Sequence, residues 1–272
     1  MELLLSDNQS IGFIGFGNMG SAIATAIHRS FPMLSIYVVE SDTTRQDVIR
    51  AQFSFVSLVD HADLFQHCRV IFLSIKPQQV SQLSSDIISY VSDNHIFISM
   101  LAGVSTASIS NLFATKCIRI MPNTPAKLSK GVTGIFSPPS VSSDDKDWVL
   151  SLCSSFGQII ELQNENEINL ITAISGSGPA FYYRMVDAFI TFASSHGLDQ
   201  HIAKTAAIHT LLGAAEMLLD DANPKAQIKR VTSPNGTTQA GLEVMDNQNF
   251  DQLIESILAR AYERAIELSK ES

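Results

Sequence analysis

The feature that most constrains this chain is an apolar run that ends in a glycine turn and continues as a helix. Residues 11–20 read Ile-Gly-Phe-Ile-Gly-Phe-Gly-Asn-Met-Gly. Gly15 permits a tight turn and Gly17 lets backbone N–H groups approach a pyrophosphate. Gly20 lets the helix lie close on the strand, and the phosphates then meet the positive end of that helix. The pattern is weak by itself. Here a buried-strand signature precedes it, helical spacing follows it, and a βαβ rhythm continues beyond it. Together these point to a bound dinucleotide rather than a bare structural turn.

Residues 11–16, 34–39, 70–75, 94–101 and 117–121 are apolar without alternation. That is the pattern of parallel strands covered on both faces. Between them, 18–31, 43–52, 77–91 and 105–113 carry helical spacing, with Pro77 in a first turn, where its missing N–H costs nothing. Two last strands, near 131–136 and 158–162, bracket a helix around Trp148. Alternation of this kind gives a doubly wound sheet. Beyond residue 161 the strand signal stops, and 166–174, 179–196, 199–220 and 250–269 read as helices. Asp199 is a candidate N-cap. Ala203, Ala206, Ala207, Ala214 and Ala215 make one side of the third of these helices suited to close packing. The expected architecture is an N-terminal Rossmann-type α/β domain over 1–162 and an all-helical domain over 163–272.

Composition excludes other classes. The 272 residues hold 18 Lys and Arg against 27 Asp and Glu, a net charge of −9, so no cationic face for nucleic acid is expected. No basic residue precedes the Leu3–Leu5 run, which therefore lacks a signal-peptide pattern. No uncharged apolar run nears the ~20 residues that cross a bilayer. A soluble, cytoplasmic protein without a membrane partner is expected. Cys68, Cys117 and Cys153 lie far apart and read as small buried hydrophobes in a reducing compartment. The histidines show no paired ligand spacing, so no metal site is expected. Asp144-Asp145-Lys146-Asp147 after Ser142 reads as a charged first helical turn, and Tyr182 and Tyr183 as packing residues of the helical domain.

Dinucleotide choice is made about 20 residues past the glycines, where an acid binds a ribose diol and an arginine a 2′-phosphate. The segment is Val39-Glu40-Ser41-Asp42-Thr43-Thr44-Arg45. A Glu40 carboxylate pointing inward favours NAD(H). Pointing away, it leaves Ser41, Thr43, Thr44 and Arg45 to cradle a phosphate.

Five further segments occur in order. They are Ser74-Ile75-Lys76-Pro77, Leu101-Ala102-Gly103-Val104, Met121-Pro122-Asn123-Thr124-Pro125, Ser175-Gly176-Ser177-Gly178-Pro179-Ala180, and Thr-Ser-Pro-Asn-Gly-Thr-Thr-Gln-Ala-Gly-Leu at 232–242. With the glycine turn, this set resembles the pyrroline-5-carboxylate reductases over nearly the whole chain. The resemblance implies reduction of the C=N bond of 1-pyrroline-5-carboxylate to L-proline, the last step of proline biosynthesis. NADP(H) is the implied donor, with NAD(H) the alternative. It also implies that the helical domain dimerises and binds substrate, in a homodimer or a decamer of five dimers. Gly15, Phe16, Gly17, Asn18, Met19, Gly20, Glu40, Ser41 and His61 are the implied cofactor residues. Ser74, Ile75, Lys76, Pro77, Met100, Leu101 and Ala102 are those on its nicotinamide side. Glu165, Ser233, Gly236, Thr237 and Thr238 are the implied substrate residues, with Thr238 in the catalytic role of orienting the ring nitrogen.

The loop at 233–238 makes physical sense for a small cyclic acid, since N–H groups and hydroxyls at a helix start suit a carboxylate. The family usually has two glycines where this chain has Asn235-Gly236. Asn tolerates positive φ better than other side chains, so Asn235 is expected to keep the left-handed turn. Lys229-Arg230 and His61 are further departures. A β-hydroxyacid dehydrogenase shares the glycine turn, but its helical lysine is missing after Gly176-Ser177-Gly178, where Tyr182 stands. A non-catalytic nucleotide-binding paralogue is the alternative from another class.

Overall fold

The computed structural model describes residues 10–271, with side chains through Ser269; the Leu3–Leu5 run lies outside the described residues. Eight strands form one sheet: β1 (Ser10–Ile14), β2 (Ser35–Val39), β3 (Val56–Leu58), β4 (Val70–Leu73), β5 (Ile96–Ser99), β6 (Lys116–Met121), β7 (Gly131–Phe136) and β8 (Gly157–Glu161). Their order is β3-β2-β1-β4-β5-β6-β7-β8. All neighbours are parallel except β6 and β7.

The absence of alternation in these strands follows from cover on both faces. Along β4, Val70 and Phe72 join one apolar layer while Ile71 and Leu73 join the other. Phe13 and Phe72, side by side on β1 and β4, stack with centroids 4.6 Å apart. Cys68, Cys117 and Cys153 are all buried. Burial pushes the Cys68 thiol up to about 12 and the other two further up, so all three sit as neutral hydrophobes.

The layers are completed by α1 (Asn18–Ser30), α2 (Thr43–Gln52), α3 (His61–His67), α4 (Val80–Ile87), α5 (Thr106–Phe113) and α6 (Ser143–Ser154). Pro77 opens a 3₁₀ turn over Pro77–Gln79, and α4 follows it. That divides the single helix expected over 77–91. Ser142 caps α6, whose first turn carries Asp144 and Asp145. Asp145 is buried against Arg69 and Lys116, so this acidic turn is a buried ion-pair site as well as a dipole partner.

The helix expected over 166–174 is α7 (Glu167–Ile171) followed by one wide turn, Thr172–Gly176, closed by Ser177 N–H to Thr172 O at 2.8 Å. Four helices come next: α8 (Gly178–Ser195), α9 (Gln200–Asp220), α10 (Pro224–Val231) and α11 (Thr237–Asn247). The last is α12 (Phe250–Glu271). The chain divides into two compact units, one running to Ser177 and resuming at Ala261, the other Gly178–Arg260.

In the second unit Asp199 caps α9 through the N–H groups of His201 and Ile202. On the alanine side only Ala203 and Ala207 are buried; Ala206, Ala214 and Ala215 are exposed. Tyr182 and Tyr183 are exposed as well, by 53% and 63%, instead of packed. Phe189, Phe192, Ile202 and Leu219 extend this uncovered apolar surface. By length and composition α9 is apolar enough to cross a membrane; Lys204 and Glu216 interrupt the run and hide this from a reading of uncharged stretches.

Candidate functional site

The C-terminal ends of β1, β2 and β4 open a cleft of about 590 Å³, where ligands bind in open α/β sheets. Gly15 holds φ at +82°, and a Cβ there would stand 2.9 Å from the Ser74 carbonyl. At Gly20 a Cβ would meet Ser74 Oγ at 2.6 Å. Glycine at both positions therefore lets β4, the turn and α1 close on one another. Gly17 caps α1 with no side-chain bond to its first turn, and that turn holds no acid. The helix start is thus left open to an anion. The Arg45 guanidinium lies beside Gly17, with Nη1 3.4 Å from where its Cβ would be. A negatively charged diphosphate fits this cradle.

Glu40 points inward. Its Oε2 accepts the Phe16 N–H at 3.0 Å and its Oε1 the Asp42 N–H at 3.1 Å, while Gln46 Nε2 donates to its main-chain carbonyl at 2.7 Å. Asp42 caps α2 through Arg45 N–H, and the Arg45 side chain reaches back to Gly17. His61 and Asp86 line the same cleft. Desolvation by burial lowers its pKa, against the upward pull of Asp86 and Asp60. A neutral ring at pH 7 follows.

Of the expected cofactor residues, Gly15, Phe16, Gly17, Asn18, Glu40, Ser41, His61, Ser74, Ile75 and Lys76 line this cleft together. Met19 and Gly20 stand in the first turn of α1 and Pro77 in the 3₁₀ turn, and they are not among the cleft residues; Met19 lines a separate pocket with Phe53 and Lys127. Met100, Leu101 and Ala102 follow β5 and are not among the cleft residues. Asp42, Gln79, Gln82 and Asp86 line it too. The last three come from the turn and helix after Pro77, and only their spacing along one helical face could have announced them.

Glu165 precedes α7, and its carboxylate is engaged within its own unit. Oε1 accepts the Thr106 N–H at 2.8 Å and Arg119 Nη1 at 3.1 Å, and Oε2 accepts the Thr106 hydroxyl at 2.8 Å. Asn123 ties the wide turn to β7: its Nδ2 donates to Ser175 O at 3.0 Å and its Oδ1 accepts Val132 N–H at 2.8 Å.

In the second unit, the loop at 233–236 leads into α11. Asn235 has φ +56°, the left-handed turn expected of it. Gly236 N–H donates to Ser233 O at 3.0 Å, and a Cβ on Gly236 would stand 2.4 Å from Ser233 Oγ. Thr237 and Thr238 begin the helix, where N–H groups have no carbonyl four residues back to bind. Among the described residues no three His, Cys, Asp or Glu gather as metal ligands.

A doubly wound sheet with a glycine cradle and an acid closing it defines a dinucleotide-dependent oxidoreductase. In agreement, residues 10–103 match the family described as NADP oxidoreductase, coenzyme F420-dependent. Residues 165–268 match the family described as pyrroline-5-carboxylate reductase dimerisation. Pyrroline-5-carboxylate reductase of Synechocystis is 33% identical over 264 residues, 96% of this chain and 98% of that one. The structure of a pyrroline-5-carboxylate reductase from Coxiella burnetii superposes with a TM-score of 0.86 at 31% identity, over 96% of this chain and 99% of the other. Pyrroline carboxylate reductase of Plasmodium falciparum, solved with NADP bound, has the same TM-score at 25% identity, over 97% and 99%. The chain belongs to the pyrroline-5-carboxylate reductase family, a family of NAD(P)-dependent oxidoreductases.

Proposed function

We propose that this chain reduces 1-pyrroline-5-carboxylate to L-proline and takes its hydride from NADH in preference to NADPH. The family supports the reaction, and the inward Glu40 carboxylate carries the cofactor preference. Its oxygens hold Phe16 and Asp42 N–H groups and keep lone pairs for a ribose diol. A 2′-phosphate would face that charge, with Asp42 and Asp86 in the same cleft. Arg45 beside Gly17 serves the diphosphate. The resemblance puts NADP(H) first, and the inward Glu40 carboxylate is the observation that favours NAD(H).

The reduced nicotinamide, when bound, supplies a hydride to the imine carbon, and the protonated ring nitrogen becomes the amine of proline. The chain's own part is binding and orientation. Ser233, Gly236 and the N–H groups opening α11 bind the substrate carboxylate, and the Thr238 hydroxyl holds the ring nitrogen. Because a protonated imine is already electrophilic, most of the acceleration comes from holding the reactants together. The helical part, 163–272, serves dimerisation, and the homodimer is the working cytoplasmic form, with a decamer of five dimers as its larger assembly.

The deciding assay follows loss of reduced-nicotinamide absorbance with 1-pyrroline-5-carboxylate, run with NADH and NADPH in parallel and proline identified as product. Turnover with NADH favoured is expected, and Thr238→Ala should lower kcat while leaving cofactor Kd within about twofold. Tight cofactor binding with no turnover would make the chain a non-catalytic paralogue.

A further inference from the structure

Three groups meet beneath the segment that joins β5 to α5. Arg119, in the middle of β6, is 4% exposed in its side chain, and Glu165 is 19% exposed. The carboxylate receives the backbone N–H of Thr106 through one oxygen and its hydroxyl through the other, with Arg119 on the first. Thr106 N–H is the first amide of α5, behind the Ser105 cap, so the anion also lies at the positive end of that helix. With three donors on its two oxygens and little exposure, Glu165 is poorly placed to take a substrate nitrogen as well.

The segment so anchored is short and held elsewhere too. Met100 N–H donates to Leu73 O at 3.2 Å and Leu101 N–H to Ser99 Oγ at 3.4 Å. Gly103 turns at φ +81°, and a Cβ there would stand 2.3 Å from the carbonyl oxygen of Leu268, so the end of α12 closes its other side. Leu101 and Ala102 are therefore fixed between a buried ion pair and a helix end.

We infer that Glu165 is a positioning residue: bridging Arg119 and Thr106, it fixes the 100–105 segment, which the family resemblance puts on the nicotinamide side, and it does not bind substrate. The inference rests on the reductase reading above. Loosening the bridge lengthens the hydride transfer distance, so the chemical step slows while binding of either reactant is unchanged. A displacement near 1 Å is enough for a loss of roughly a hundredfold.

The test compares Glu165→Gln, Thr106→Val and Thr106→Ser with wild type for kcat, KM for 1-pyrroline-5-carboxylate, cofactor Kd and the isotope effect with deuterated nicotinamide. Glu165→Gln and Thr106→Val are expected to lower kcat by about tenfold or more, with KM and Kd within about twofold and a raised isotope effect. Thr106→Ser, which keeps the hydroxyl, is expected to match wild type. If Glu165→Gln does not fold, the Thr106 pair still decides. A raised substrate KM with unchanged kcat in Glu165→Gln would make Glu165 a substrate ligand. Lower Tm with unaltered kinetics in both would make the bridge purely structural. Inactive wild type would instead overturn the reductase reading, a result separate from any difference among variants.

Discussion

The Glu40 carboxylate, just past the end of β2, closes the glycine turn by accepting the Phe16 N–H at 3.0 Å, and an acid at this position of a Rossmann-type sheet is the group that binds a ribose diol. Glu40→Gln keeps an acceptor for Phe16 and removes the charge. A hydrogen bond to a charged group contributes about 1.5–3 kcal/mol, and each 1.4 kcal/mol is about tenfold. The variant is expected to lose about tenfold or more in kcat/KM for NADH and to gain with NADPH. Steady-state kinetics with both donors measures this, and an unchanged ratio would detach cofactor choice from Glu40.

At the opposite end of the sheet, Asp145 bridges Arg69 and Lys116. Burial raises its pKa, but hydrogen bonds from Arg69, Lys116 and Ser142 outweigh that and leave it below the usual carboxylate range. A depressed folded pKa gives stability that is present above the unfolded value of about 3.9 and is lost as pH falls through the folded one. Asp145→Asn is therefore expected to lower unfolding stability by about 1–3 kcal/mol at pH 7, because both cations are partly exposed and recover some hydration. Urea titrations at pH 7 and pH 3 should show the gap between variant and wild type closing in acid. A constant gap would mean that packing, not charge, is lost.

The strands that the sequence revealed most clearly are those buried on both faces, such as β4 and β5, because a residue run such as Val70–Leu73 has only one use in a sheet; β8 was legible without a single buried residue. β3 escaped notice: it is three residues at the sheet edge, with Ser57 exposed and its neighbours half-buried. The seven-residue α3, opened by the Asp60 cap, is likewise too short for a periodic signal. The glycine turn announced the cleft, yet the direction of Glu40 depends on a partner 24 residues away, and spacing does not encode it. The same holds for Glu165, whose partners Thr106 and Arg119 lie 59 and 46 residues distant. Tyr182 and Tyr183 have helical spacing that reads as core, but nothing in periodicity says whether the cover comes from the same chain.

That cover is the basis of another prediction. Phe189 and Phe192 on α8 are 62% and 65% exposed in the single chain, inside the segment matching the family's dimerisation model. Contiguous apolar surface of this kind marks an interface. Phe189→Glu costs the isolated chain little, but in a dimer it buries an unpaired charge, a penalty of several kcal/mol. Light scattering is expected to find wild type as a dimer or larger and the variant as a monomer of unchanged helicity. A variant that still associates would place the interface elsewhere on the helices.

Asn235 gives the sharpest test of the loop proposed to bind the substrate carboxylate. Its φ of +56° is in the left-handed region, which costs most side chains about 1–2 kcal/mol and Asn less. Its N–H donates to Gln239 Oε1 at 2.9 Å, so the turn is also fastened to the first turn of α11. Asn235→Gly relieves the backbone and keeps that N–H, and it should retain kcat and substrate KM within about twofold. Asn235→Val brings a β-branched side chain to a conformation it rarely adopts. The loop then rearranges and moves Ser233 and Gly236 away from the amides that open α11. Substrate KM is expected to rise about tenfold while cofactor Kd, set in the other unit, stays unchanged. Steady-state kinetics paired with cofactor titration separates the two effects, and equal KM in the Val and Gly variants would show that the left-handed turn is not what holds the substrate carboxylate.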